Sequence, residues 1–417
     1  MWKYRCKGWL ISLLAAFASG CALMGVFVAT GLDSYADVLT EPLQEALRAT
    51  SSWELILMGG FSFAGIINVL LIMQLIATQF QISSFLLFFV IWIFYRYVYL
   101  LGIILVIPMV ILTLYGWLSL RNQTGSALKA RHITGDAEIV RMYELHHPLN
   151  EKMKPLAESV RKNIRKATLT YGLGVVAIVV LSFVITNFMV LLIVLMLYLM
   201  CLNILLRYRS QCLLSISNLL YVDCNPQDCA SAIIYFSTNR GKVKLAMQNL
   251  LAQCLIYMDD PALAQDVLIT FPRRDPSSAL SYWSLMAYID YLLKDESGLE
   301  RCRQEAERIN LRFGPTGVMI KTDEMAAIDN RLRLMNGDFN ACKKYYLNLY
   351  THARFPYQKA EAAYYIGLIS FVDEDYPVAE KYFSFVASKG GTMYFVPKAK
   401  NYLEKMNAMG TAGQLPY

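Results

Sequence analysis

Two long stretches of this chain carry almost no charge, and they limit what it can fold into. Residues 55–120 contain one charged side chain, Arg96, and residues 171–206 contain none. A helix needs about 20 apolar residues to cross a bilayer, where the backbone can bond only to itself. The first block has room for three crossings, near 55–77, 80–97 and 98–119. As one helix the second block would be about 54 Å long, against a hydrocarbon core of about 30 Å. Basic residues flank it at both ends (Lys166 and Arg207), so both ends belong on one side. A hairpin turning at Thr186 and Asn187 is therefore expected, with spans at 171–186 and 188–206.

A further span near 9–31 follows the basic arm Lys3, Arg5 and Lys7. Ala18-Ser19-Gly20-Cys21 resembles a bacterial lipoprotein cleavage box, but the apolar run continues past Cys21, which favours an uncleaved span. Six spans result, with both termini on one side; four or five is the alternative, because the 55–120 block can be partitioned in more than one way. The charge says which side. The formal net charge of +7 arises beside and within the membrane blocks: the arm gives +3, the basic segment 121–166 gives +5, Arg207 and Arg209 give +2 and Arg96 +1, against −4 in the loop 32–54. Residues after Arg209 carry equal numbers of acids and bases. Loops rich in Lys and Arg stay in the cytoplasm. The expected location is the cell membrane, multi-pass, with N- and C-termini cytoplasmic.

Hydrophobic content of 56% is too high for an all-soluble chain and fits a membrane half joined to a soluble half. The expected domains are a transmembrane domain, 1–209, with a basic cytoplasmic loop at 120–170, and a cytoplasmic helical domain, 210–417. Nine cysteines without paired CxxC spacing argue against a disulfide framework or a zinc site. They read as small buried hydrophobes.

Within the spans, Gly60 and Ala64, with Gly59 and Gly65 beside them, form a small-residue face that suits close helix packing. Arg96 sits among Tyr95, Tyr97 and Tyr99, an interfacial pattern, and reads as snorkelling to the surface. Asn68, Gln74 and Asn203 are isolated amides, expected to pair across helices. Leu39, Leu43 and Leu47 predict a short amphipathic helix in the outer loop. In the basic loop, Pro148 separates two helical stretches. The second carries Met153, Leu156, Val160 and Ile164 on one stripe, ringed by Lys152, Lys154, Arg161, Lys162, Arg165 and Lys166. Such a helix binds anionic lipid headgroups, at about 1 kcal/mol per basic residue near the surface. A patch pinned to the bilayer is poorly placed for nucleic acid, and none is expected as a partner. His146-His147 lacks metal-ligand spacing on one helical face and reads as loop.

After residue 210 the pattern is helical, with Gly and Pro confined mainly to connections. The segment 362–383 reads AAYYIGLISFVDEDYPVAEKYF. It resembles a tetratricopeptide repeat. Ile366-Gly367 matches the large–small pair of the first helix, Asp375-Tyr376 the turn, and Ala379 and Phe383 the small and aromatic positions of the second helix. Ala363 and Ser370 replace the family's Trp and Tyr, and its terminal Pro is absent. Weaker copies lie at Leu251-Ala252 with Ala264, Leu268 and Pro276, at Asp338-Phe339 with Ala341-Cys342 and Tyr346, and at Ile289 with Cys302 and Ala306. Ala264, Cys302, Ala341 and Ala379 are 38, 39 and 38 residues apart, against a typical 34. The resemblance covers residues 242–406. It implies an all-α architecture, a multi-pass helical membrane domain followed by a soluble α-solenoid, with a concave face lined by first helices. On family positions that face presents Asn249, Gln253, Tyr291, Lys294, Arg331, Tyr364 and Leu368 as peptide-binding candidates. An irregular helical bundle is the competing architecture.

No phosphate loop, dinucleotide fingerprint, HExxH or nucleophile elbow is present. Four histidines leave few acid–base candidates. No catalytic set, cofactor or metal is expected. The reading is a membrane scaffold or adaptor that presents its cytoplasmic domain to a protein partner, and not an enzyme. The alternative is a component of a transport or export system, in which Arg96, Asn68 and Gln74 serve the route and the repeats regulate it.

Overall fold

The computed structural model describes residues 2–30, 49–79, 93–131, 133–184, 188–311 and 314–412. The fold is helical throughout apart from one minimal hairpin. In chain order the helices are α1 (Cys6–Thr30), α2 (Ser52–Gln79), α3 (Tyr95–Ile104), α4 (Val106–Ala130), α5 (Asp136–His146), α6 (Lys154–Val184), α7 (Phe188–Tyr221) and α8 (Pro226–Ser237). The hairpin β1 (Thr238–Asn239) and β2 (Lys242–Val243) follows. Then come α9 (Gln248–Tyr257), α10 (Pro261–Ile269), α11 (Pro276–Leu292), α12 (Glu296–Glu307), α13 (Gly314–Met335), α14 (Phe339–His352), α15 (Pro356–Val372), α16 (Tyr376–Lys389) and α17 (Phe395–Ala412). Two compact units form: Met1–Ala127 with Pro272–Leu280 and Ile309–Met319, and Leu128–Phe271 with Ser281–Arg308 and Ile320–Tyr417. The division falls after residue 127, not at the expected 209/210, because α5 packs on α10 and α6 and α7 pack on α8.

In the first unit, two helices among the described residues are long and apolar enough to cross a membrane, Cys6–Val26 and Ser52–Ile76. A third crossing results if α3 and α4 act together, although they meet at a 54° bend. The span expected at 98–119 is therefore not one straight helix. Pro108 explains the break: it has no N–H to give the Ile104 carbonyl, and its ring crowds that oxygen. Glycine sets the helix contacts. A Cβ on Gly20 would lie 2.3 Å from the Gly59 carbonyl oxygen, and one on Gly60 would lie 2.5 Å from Cys21 Sγ. A Cβ on Gly102 would lie 2.7 Å from the Gly65 carbonyl oxygen. The small-residue face is thus used within the chain, between α1, α2 and α3. Trp9, Leu13, Leu71 and Met109 form a buried cluster. Large apolar side chains such as Ile11, Leu14, Ile107, Ile111 and Tyr115 are more than half exposed, as lipid-facing residues would be. The expected outer-loop helix at 39–47, most of the span at 80–97 and the hairpin turn at 186–187 lie outside the described residues.

In the second unit, α6 and α7 are long, 31 and 34 residues. Helix α7 runs without a break from the apolar block through Arg207 and Arg209 to Tyr221. The apolar stripe of α6 faces protein: Val160 is buried, and Met153, Leu156 and Ile164 are half-buried. Arg161 turns inward, a departure from the expected lipid-facing role. Its guanidinium donates to the Phe236 carbonyl at 3.1 Å, to the Thr238 carbonyl at 2.6 Å and to that of Tyr235. These carbonyls end α8 and have no partner within the helix, so a cation there satisfies them. The β1–β2 turn uses Arg240 and Gly241, both at positive φ, as a two-residue hairpin needs.

Four helix–turn–helix pairs follow: α9/α10, α11/α12, α13/α14 and α15/α16. One turn serves all four. The residue before the last takes a positive φ: Asp259 (64°), Lys294 (60°), Gly337 (77°) and Glu374 (61°). The next residue is always aspartate, and its backbone N–H donates to the carbonyl five residues back. The bonds are Asp260 to Leu255 (3.0 Å), Asp295 to Asp290 (2.8 Å), Asp338 to Arg333 (2.9 Å) and Asp375 to Ser370 (2.8 Å). This closure satisfies orphan carbonyls of the first helix. The same aspartates begin the second helices, and three accept from a backbone N–H three residues on. Four residues beyond each aspartate lie Ala264, Leu299, Cys342 and Ala379, all 0% exposed. At the third pair the buried residue is Cys342, one beyond the expected Ala341, which is half-buried; at the second pair the expected Cys302 is 0% exposed, as is Leu299. At the last pair a Cβ on Gly367 would lie 2.9 Å from the Phe383 ring, the close approach expected from the sequence.

The turn makes opposite demands at two of its positions. Gly337→Ala should destabilise the chain by about 1 kcal/mol, and Glu374→Gly should stabilise it by a similar amount. Denaturant midpoints of the full-length protein in detergent check this; shifts of the same sign would refute the shared turn.

Candidate binding site

The first helices of the four pairs, with Tyr345 and Tyr346 of α14 and Tyr394 before α17, bring tyrosines together around one arginine and one glutamate. Arg331, on α13, places its guanidinium over the Tyr288 ring of α11, 4.1 Å from the centroid. Glu361, on α15, is buried and accepts from Tyr257 Oη of α9 at 2.7 Å. Gln253 Nε2 donates to Tyr357 Oη at 3.3 Å. The Tyr365 hydroxyl is paired with those of Tyr291 and Tyr394. Tyr346 stacks on Tyr365 with centroids 4.6 Å apart. Burial, the largest single effect, disfavours the Arg331 charge, but the Glu361 carboxylate together with Tyr288, Tyr346 and Tyr345 outweighs it and raises the pKa. Burial holds Tyr257, Tyr288, Tyr346 and Tyr365 well above the usual phenol range, reinforced by the Glu361 charge. Tyr345 is pushed up to about 12 by the same burial.

The cluster has donors to spare. Arg331 Nη1 and Tyr288 Oη are buried and have no hydrogen-bond partner among the described residues. A buried donor without a partner costs about 1–3 kcal/mol, so a ligand acceptor that reached them would bind with that advantage. A carboxylate is the acceptor that matches a guanidinium fork and a phenol.

Of the residues expected on the concave face, Gln253, Tyr291 and Arg331 belong to this cluster. Asn249 and Leu368 are half-buried on α9 and α15. Tyr364 is 7% exposed and stacks on Phe395 at 5.2 Å, so it belongs to the core. Lys294 is exposed in the α11–α12 turn and lies on no helix face. Glu361, Tyr257 and Tyr288 are not among the expected residues, and Tyr346 is expected as a repeat position of α14 and not as part of a site. Their contacts join distant parts of the chain, as between Tyr257 and Glu361 or Arg331 and Tyr288, and the available signal is only an excess of tyrosine.

The basic segment forms a second candidate. Lys162, Arg165 and Lys166 are exposed on α6 and line a groove of about 390 Å³ with Glu158, Arg161, Leu169 and Asn239. It sits just before the apolar block that begins at residue 171. Lys152 and Lys154 are exposed at the start of α6. Five of the six expected cations therefore remain available for headgroups. In the first unit, Asn68 is buried and donates Nδ2 to the Gly102 carbonyl at 2.8 Å, the helix-crossing pairing expected of it. Gln74 is exposed, and Arg96 lies in the first turn of α3 with its side chain outside the described part. His146, the last residue of α5, and His147, in the bend after it, converge with Asp260.

Comparison with protein-family models, with curated proteins and with solved structures finds no match.

The tyrosine cluster sets an alkaline limit. A phenol whose pKa is raised on folding contributes stability that is complete below the unfolded value, about 10, and lost as pH rises through the folded value. Absorbance of tyrosinate and helical dichroism should therefore change together above about pH 11 for these groups; full ionisation with helices intact would contradict their burial. In the basic groove, replacing Lys162, Arg165 and Lys166 by Gln should remove about 1 kcal/mol of headgroup attraction each. Co-purifying anionic lipid, read by native mass spectrometry, should fall while zwitterionic lipid is unchanged.

Proposed function

We propose that this chain is a multi-pass membrane adaptor that holds a tetratricopeptide-like set of helix pairs on the cytoplasmic side and offers it to a protein partner. The cationic flanks of the membrane blocks support that sidedness. So does the basic arm, where Arg5 Nε donates to the Arg274 carbonyl at 2.7 Å and Tyr4 accepts from Arg273, tying the N-terminal arm to the chain between α10 and α11. The observation that carries the reading is the convergence of Gln253, Tyr288, Tyr291, Arg331 and Glu361 from successive first helices. Tyrosine and arginine dominate protein-binding hot spots, because each combines a large contact surface with directional donors. The unpartnered Arg331 and Tyr288 donors favour a partner segment that brings a carboxylate. The exposed cations of α6 hold the adjoining helices against anionic lipid.

A photo-crosslinking residue placed at Gln253 or Leu368 of the full-length protein in its native membrane tests this. Discrete adducts are expected at both positions and none at Ser384, which is exposed on α16. Arg331→Gln should reduce them about 10-fold or more. Equal labelling from Ser384, or none from the first two, would remove the proposal's support.

A further inference from the structure

We propose that His146, His147 and Asp260 form a binding site for a divalent transition metal ion such as zinc, separate from the tyrosine cluster. Their potential ligand atoms all lie within 4.8 Å of one another, and among the described residues they are the one such group of three or more. His146 Nδ1 is 2.8 Å from Asp260 Oδ2, and His147 Nε2 is 3.1 Å from the same oxygen.

Adjacent histidines on a continuous helix diverge by about 100° and cannot share an ion. Here the helix stops between them. His146 is the last residue of α5, while His147 is extended, with φ −134° and ψ 130°. Pro148 imposes that conformation, since a proline excludes the helical region for the residue before it. The two rings stand at 74° with centroids 6.1 Å apart, and they approach one carboxylate from two directions. Tyr143 lies beside His147, its ring centroid at 5.3 Å.

Asp260 is held from the other side. It caps α10, and its Oδ1 accepts from the Leu263 N–H at 3.1 Å, leaving Oδ2 free to face the histidines. A carboxylate fixed through its second oxygen is the outer-shell support that metal ligands ordinarily have. Ligands about 2.0–2.1 Å from a zinc ion stand about 3.4 Å apart at the tetrahedral angle. The observed separations to Oδ2 are shorter by a few tenths of an ångström, so small side-chain rotations admit an ion. Two imidazoles and one carboxylate select zinc, cobalt, nickel or copper over the hard ions calcium and magnesium. The His146 side chain is 55% exposed, against 18% for His147 and 13% for Asp260, so the ion would enter past His146. Three protein ligands leave one position for water. The site would clip the end of α5 to the first helix pair.

The test uses full-length protein in detergent, without a polyhistidine tag and stripped with chelator. Isothermal titration with zinc should show one saturable site, with no comparable uptake of calcium or magnesium. His146→Ala and Asp260→Asn should each weaken it by at least about 10-fold. Asparagine keeps the capping oxygen, so Asp260→Asn separates ligation from capping, and dichroism verifies each fold. Zinc should raise the melting temperature of the wild type and of neither variant. Absence of saturable uptake by the wild type, or full affinity in either variant, would overturn the assignment and leave a hydrogen-bonded cluster only.

Discussion

A single backbone hydrogen bond organises the C-terminal half. The N–H of each capping aspartate reaches the carbonyl five residues before it, and this closure occurs at Asp260, Asp295, Asp338 and Asp375. The bond ends one helix and starts the next in three residues. It leaves the two helices close, so the residue four beyond the aspartate must be one that packs without a gap. The residue ahead must adopt positive φ, and three of the four pairs place a charged side chain there. Backbone closure is thus strong enough to offset a strain of about 1–2 kcal/mol. Everything at the tyrosine cluster follows, because the turns set which faces of α9, α11, α13 and α15 look at one another.

The last pair was legible in the sequence because its local signals agree: Asp375 at the cap, Ala379 and Phe383 at the second helix, and Gly367 opposite the ring. The third pair misled. Ala341 looks like the small packing residue of its pair, yet it is half-buried and Cys342 beside it is the buried one; at the second pair Leu299 is buried as well as Cys302. Local spacing holds no trace of Arg331 above Tyr288 or of Tyr257 donating to Glu361. Those contacts depend on turns four times repeated, and no residue pair within a dozen positions encodes them. Lys294 was misplaced for a related reason: family position put it on a face, while the turn took it for its left-handed residue.

The apolar segments show the same division. Composition marks which segments are apolar and the cations mark their flanks. Where helices touch is a matter of missing atoms: Gly20 against Gly59 and Gly65 against Gly102 bring backbones together, and only the structure pairs one glycine with another. Pro108 was visible, but its effect depends on lying inside a helix. Arg161 looked like its basic neighbours on α6 and differs only because the open end of α8 lies within reach.

Helix α7 has one more consequence. Its 34 residues extend about 51 Å without a proline or a glycine. A rod of that kind has no joint. Any tilt of its apolar end must appear in full at Ile216 and Leu220, where it is locked into the core beside α8. A displacement at its Phe188 end would therefore be delivered whole to the packing against α8.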